Sequence, residues 1–253
     1  MASEELREEG GFRTDAERIA TGKYSDVFDN SQDSTQIKLQ DFTKYIRRQD
    51  MTRLLSRYEI FKKAINVKGS VIECGVFRGF GLMCWALFSE IMEPVNLTRR
   101  IYGFDNFEGT KRTCAKDENS VRTAKDGDFY TDAYNELLSL IQVFDENRFL
   151  GHLNKVSLIN GDAAETIPRF IEENPHLLIS LLFLDFDLYE PTKIALKHLL
   201  PRMPKGAIVA FDELDNPIWP GETLALLETK DVNKLEIRRL DFDPYIGYAV
   251  IDA

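Results

Sequence analysis

No stretch of this chain approaches the roughly 18 consecutive apolar residues that a membrane-spanning helix requires. Its opening, MASEELREEGG, is acidic and polar where a secretory leader is basic and then apolar. No membrane partner is therefore expected, and the protein is expected to stay in the cytoplasm. Cysteine is scarce. Cys74, Cys84 and Cys114 show no C-x-x-C spacing and are odd in number, which argues against a zinc site or a disulfide framework and suits a reducing compartment. Clustered basic residues are lacking too: the pairs Arg47-Arg48, Arg99-Arg100 and Arg238-Arg239 stand apart, and the net charge is −10 with a pI near 5.0. A phosphate backbone would find little to bind, so no nucleic-acid partner is expected. With 253 residues, 43% hydrophobic and 29% charged, one large α/β domain with appendages is expected.

What the chain does have is Val71-Ile72-Glu73-Cys74-Gly75-Val76-Phe77-Arg78-Gly79-Phe80-Gly81. A short apolar run ends in an acid, passes through glycines and enters a run of apolar helix formers, which reads as strand, glycine turn and helix. Glycine lets backbone approach a ligand closely, and the N–H groups at a helix start are donors. The spacing is G-x-x-x-G-x-G rather than the dinucleotide G-x-G-x-x-G. Glu73 at the strand tip would repel a pyrophosphate but tolerate a cationic sulfonium, which points to S-adenosylmethionine rather than NAD. Glycines that serve only close packing are the plainer alternative.

Residues 1–36 are polar, acidic and of little periodicity, read as a mobile arm, a flap or a plain tail. Residues 38–67 carry Phe42, Tyr45, Ile46, Leu54, Leu55, Tyr58, Ile60, Phe61 and Ile65 at helical steps, predicting one or two amphipathic helices. These helices would also suit subunit contacts, and a homo-oligomer is expected. Residues 68–253 form the main domain. A second strand ends in Asp105, about thirty residues after Glu73, where a βαβ unit binds ribose hydroxyls. Residues 109–132 are long and polar with no room in a core, a lid-like insertion or a disordered loop. A third strand ends at Gly161-Asp162, with Asp162 expected at the adenine edge. The continuous apolar run 177–184 predicts a central parallel strand buried on both faces. Another buried strand ends at Asp212-Glu213, and strands on either side of Asp243-Pro244 predict a terminal antiparallel hairpin. The whole is an α/β, doubly wound, mostly parallel seven-stranded sheet.

Five strands thus deliver acids to one edge: Glu73, Asp105, Asp162, Asp185 with Asp187, and Asp212 with Glu213. Like charges gathered there repel, and a hard divalent cation would resolve the repulsion; oxygen-only ligands without His suit magnesium, calcium or manganese. The alternative is that these acids are helix N-caps.

Together, Glu73-Cys74-Gly75-Val76-Phe77-Arg78-Gly79, Tyr102-Gly103-Phe104-Asp105-Asn106-Phe107-Glu108-Gly109, Leu184-Asp185-Phe186-Asp187-Leu188-Tyr189-Glu190-Pro191-Thr192 and Phe211-Asp212-Glu213 with Pro220-Gly221 resemble the macrocin O-methyltransferase family over residues 50–230. The resemblance implies a Rossmann-like class I methyltransferase using S-adenosylmethionine and magnesium on a sugar hydroxyl in antibiotic biosynthesis. It implies donor contacts from Glu73, Gly75, Val76, Gly79, Asp105, Asn106 and Asp162, metal ligands at Asp185, Asp212 and Glu213, and a general base at Asp187. The chain departs from the family in reading Asp-Glu at 212 and 213, where two aspartates are expected. The implied partner is a small sugar or glycoside acceptor with a vicinal diol. A catechol-type methyltransferase, a nucleotide-sugar oxidoreductase and a non-catalytic nucleotide-binding module remain as alternatives. Glu73, the glycine spacing and the expected lack of a Tyr-x-x-x-Lys pair stand against the oxidoreductase.

Overall fold

The computed structural model of the protein describes residues 14–111, 113–118 and 124–252. The start of the expected N-terminal arm and parts of the insertion lie outside the described residues. The chain divides into two compact units between Leu55 and Ser56.

The first unit is more helical than its sequence suggests. Helix α1, Asp15–Asn30, starts in a capping box: Thr14 N–H donates to Glu17 Oε2 at 3.0 Å, and Glu17 N–H donates to Thr14 Oγ1 at 3.3 Å. Helix α2, Thr35–Gln40, is capped by Ser34, and a 3-10 turn follows at Phe42–Lys44. Much of the expected arm is therefore regular structure held by local polar bonds. Helix α3, Arg48–Ala64, begins in this unit and runs on past the division.

In the second unit, strands and helices alternate. They are β1 Ser70–Cys74, α4 Phe80–Met92, β2 Ile101–Asp105, α5 Tyr134–Asn147, β3 Val156–Asn160, α6 Ala163–Glu173, β4 Ile179–Leu184, α7 Tyr189–Leu199, β5 Ile208–Phe211, α8 Gly221–Thr229, β6 Ile237–Arg239 and β7 Gly247–Val250. The sheet has seven strands in the order β3-β2-β1-β4-β5-β7-β6. All neighbours pair in parallel except β7, which runs antiparallel to both β5 and β6. The expected doubly wound sheet with a terminal antiparallel hairpin is what forms.

The period of two along each strand sorts its side chains between two covered faces. Ile72, Phe104, Leu182, Leu184, Val209 and Phe211 pack with Ile167, Phe170, Leu196, Leu199 and Leu226 of α6, α7 and α8. Val71, Glu73 and Phe183 turn the other way. On that face Trp85 of α4 lies 5.4 Å from Phe183, and the Arg57 guanidinium stacks 4.5 Å from the same ring. Among the described residues no helix is long and apolar enough to cross a membrane.

Candidate active site

Strand register assembles the site. Cys74 pairs with Phe104 and Leu184, and Leu184 pairs with Phe211. One residue further on, Gly75, Asp105, Asp185 and Asp212 therefore share one row at the carboxyl edge of the sheet, where open α/β sheets bind ligands. The ladder continues into that row, with N–H donations from Gly75 to Phe104 O, Asp185 to Cys74 O and Asp212 to Leu184 O at 2.9, 2.7 and 2.9 Å.

The glycine turn is built by close approach. Gly75 has φ +94°, and a Cβ there would stand 1.9 Å from the Asp185 carbonyl oxygen, so β1 can leave the sheet beside β4 only without a side chain. Gly79, at φ +84°, precedes the first turn of α4. The N–H groups of Val76 and Phe77 both donate to Asp105 Oδ2, at 2.8 and 2.7 Å, and Phe107 N–H donates to Oδ1 at 2.7 Å. The donors of the turn are thus met by a carboxylate, which leaves little for an anionic pyrophosphate. Burial raises the Asp105 carboxyl, and these N–H bonds oppose the rise. Asn106 turns back to donate to Gly109 O at 3.0 Å. Asp162 takes the N-cap of α6, accepting from Ala164 N–H at 2.8 Å, the alternative role weighed for such acids.

Glu73 lies beneath this row, only 1% exposed. Its carboxyl points at α4, where a Cβ on Gly81 would stand 1.8 Å from Oε1. Burial pushes its pKa up to about 8, with the Arg57 charge opposing and Asp185 and Asp212 adding to the rise. Arg57, 1% exposed, is the buried cation that sequence reasoning missed. Its Nη2 lies 3.3 Å from Asp185 Oδ2 and 3.6 Å from Asp212 Oδ1. The signal was there: a charged residue three positions after Leu54 and three before Ile60 sits on the apolar stripe of α3.

Asp187 follows β4 with φ +61°, a left-handed conformation unusual for a residue with a side chain. It is half-buried, as are Asp185 and Glu213, while Asp212 is buried. The other missed residue is Glu222 in the first turn of α8, completely buried. Its Oε1 accepts from Phe186 and Asp187 N–H at 3.1 and 3.3 Å, and its Oε2 accepts from Glu213 N–H at 3.2 Å. Burial, with Asp187, Asp185 and Asp212 close by, holds its carboxyl far above the usual range.

Asp185, Asp212 and Glu213 offer the hard oxygen donors that magnesium prefers. Yet among the described residues no three Asp, Glu, His or Cys side chains gather closely enough to hold a metal ion. Positive charge reaches Asp185 and Asp212 from Arg57 instead.

The insertion is not wholly outside the core, contrary to expectation. Asp117, Thr110, Ala124 and Thr131 are buried, and Asp117 Oδ1 accepts from Tyr189 N–H at 2.7 Å at the start of α7. Phe129 packs 5.5 Å from Trp219 and 6.1 Å from Phe77 of the glycine turn. The Tyr-x-x-x-Lys spacing, expected to be missing, does occur at Tyr189 and Lys193, whose Nζ donates to Tyr189 Oη at 2.6 Å. That hydroxyl also bonds Glu228, the ring is buried, and the pair joins α7 to α8.

The family model of macrocin O-methyltransferase (TylF) matches residues 46–244. A Streptomyces olivaceus 8-demethyl-8-(2,3-dimethoxy-alpha-L-rhamnosyl)-tetracenomycin-C 4'-O-methyltransferase is 29% identical over 153 residues, 59% of this chain and 54% of that protein. The chain thus spans about half the length of this curated relative. The crystal structure of the calicheamicin methyltransferase CalS11 superposes with a TM-score of 0.92 at 34% identity, covering 95% of each chain. Its apo structure, described as a TDP-rhamnose 3'-O-methyltransferase, gives 0.82 at 33% identity over 95% of this chain and 97% of that one. The O-methyltransferase NovP, at 21% identity and a TM-score of 0.57 over 80% of each chain, shares the fold. A family match over most of the chain, on a sheet whose glycine turn and acidic strand ends stand in one row, settles the classification: the chain belongs to the macrocin O-methyltransferase family, and with it to the S-adenosylmethionine-dependent O-methyltransferases.

Proposed function

We propose that the protein transfers the methyl group of S-adenosylmethionine to a hydroxyl of a deoxysugar, one of a vicinal diol carried on a nucleotide or on a secondary-metabolite glycoside. The observation that carries this reading is the row Gly75, Asp105, Asp185 and Asp212 at the carboxyl edge, with Asp187 and Glu213 beside it. The rhamnose-linked activities of the relatives support the sugar.

The donor lies over the turn at Gly75, Val76 and Gly79, with Asp105 and Asn106 toward its ribose, Asp162 toward its adenine and Glu73 beneath. Acids on every side favour a sulfonium over an anionic cofactor. Asp187 takes the proton from the attacking hydroxyl as the new carbon–oxygen bond forms and the carbon–sulfur bond breaks, its electron pair returning to sulfur. A half-buried carboxylate held in a fixed turn makes a suitable base, since it is partly shielded from water and oriented. Asp185, Asp212 and Glu213 do not form a closed ligand set as they stand and would have to draw together to hold magnesium, which would supply Lewis-acid polarisation of the acceptor oxygen. Three cysteines, none in a disulfide, support a reducing cytoplasm.

Calorimetric titration with S-adenosylhomocysteine, followed by a methylation assay on TDP-rhamnose and on catechol, tests the reading. Micromolar binding and turnover on the sugar alone are expected. Absence of binding would withdraw the donor site and every role built on it; turnover on catechol alone would move the enzyme to the phenolic class, and binding without turnover would leave a binding module.

A further inference from the structure

The proposed mechanism uses Asp187 and Glu213 but does not say what holds two acids from different strand ends at a fixed separation. We propose that Glu222 is the positioning residue of this site, one carboxyl group that ties the turn after β4 to the turn after β5. The inference rests on the methyltransferase reading for its kinetic consequence, and on geometry alone for its structural one.

The geometry has three parts. Oε1 takes the N–H groups of Phe186 and Asp187, and Oε2 takes that of Glu213, so the two oxygens of one group are divided between two strand ends. The carboxyl group is fully buried, so water does not compete for these bonds. Helix α8 is seated closely against the Asp187 turn: a Cβ on Gly221 would stand 2.5 Å from Tyr189 N and 2.7 Å from the Asp187 carbonyl oxygen. Glycine at 221 lets the helix start against the Asp187 turn, and the next residue reaches across it.

Holding Asp187 by its backbone also explains its conformation. At φ +61° an aspartate is strained relative to the right-handed region, and such a turn persists only where surrounding bonds over-determine it. Glu222 supplies one of those bonds directly and another at the preceding residue. A side chain that touches neither donor nor acceptor would thereby set where the base carboxylate points.

Glu222→Gln separates this role from general stability. The amide keeps one oxygen for the N–H groups of Phe186 and Asp187 but presents an NH2 to Glu213 N–H, donor against donor. The expected result is a tenfold or larger fall in kcat, an unchanged Kd for S-adenosylhomocysteine, and at least tenfold faster hydrogen exchange at the amides of Phe186, Asp187 and Glu213 with β1 unaffected. In an Asp187→Asn background the same change should cost less than twofold, because residues acting as a unit are not additive. Unaltered exchange at the three amides in Glu222→Gln would overturn the proposal alone, as would a kcat loss that multiplies in full on Asp187→Asn. Wild-type turnover in Asp187→Asn would overturn it together with the base assignment. Should Glu222→Gln fail to fold, Glu222→Asp, one methylene too short to span both strand ends, reads out the same quantities.

Discussion

Glu73 was legible as an acid at a strand tip, and its address in three dimensions was not. The sequence places it beside a glycine turn that suits a cationic ligand. The period of two places its carboxyl on the far face of the sheet, under α3 and α4, with Arg57 for company. Its protonation then becomes a matter of stability. An ordinary glutamate titrates near 4.3, whereas burial lifts Glu73 to about 8. Between those values the folded chain keeps a proton that the unfolded chain has released, so this group's contribution is full below about pH 4 and is lost as pH rises through about 8. The loss is on the order of several kcal/mol at most, since one pKa unit corresponds to about 1.4 kcal/mol. Glu73→Gln is neutral at all pH values and should remove that part of the decline. Melting temperatures of both proteins from pH 5 to 9 are the check; parallel curves would show that Glu73 does not carry the buried proton.

At the scale of elements, most of what the periodicities predicted is present, with strand boundaries moved by up to three residues. The strand ending in Cys74, the buried run in β4 and the hairpin partner β7 were readable because apolar alternation and continuous apolar runs record burial directly. Helix α1 was not readable by that route, because its apolar residues are sparse and Ile19 and Val27 remain exposed. Its start was written in another signal, the Thr14 to Glu17 capping box. The insertion failed for a different reason: a polar segment can enter a core when its polar groups are matched, and composition does not reveal matching. Asp117, 2% exposed, accepts from both Tyr189 N–H and Cys114 N–H, at 2.7 and 2.9 Å. Asp117→Ala leaves one donor orphaned at the head of α7 and one within the insertion, a cost of about 1–3 kcal/mol. We expect a lower melting temperature and faster proteolytic cutting within residues 109–132, while β-sheet amides keep their exchange protection. Cutting no faster than in the wild type would mean that the insertion is held by its other contacts.

For the whole molecule, the question is why so much negative charge converges on one edge of a protein that already carries −10. The order of strands explains the convergence, since parallel β1, β2, β4 and β5 all end on the same side and each ends in or is followed by an acid or a glycine. That much of the site could be read from the sequence, because strand tips are local and the edge they share follows from topology. What holds the acids in place could not, because Arg57 and Glu222 come from helices distant in sequence and meet the strand ends only in the fold. Arg57 lies beside Asp185 and Asp212, and the same edge gathers Asp187 and Glu213, so that it offers the hard oxygen donors a divalent cation prefers. A cation that binds the folded chain and not the unfolded one stabilises it by mass action, by about 2.7 kcal/mol at a hundredfold excess over Kd. Magnesium should therefore raise the melting temperature by several degrees, excess chelator should abolish both that gain and turnover, and readdition should restore both. Asp212→Asn should lose the thermal gain while still binding S-adenosylhomocysteine, since it leaves the glycine turn and Asp105 intact. A wild-type protein that turns over fully in excess chelator, with a melting temperature indifferent to magnesium, would remove the metal from the mechanism and leave Arg57 beside Asp185 and Asp212 without it.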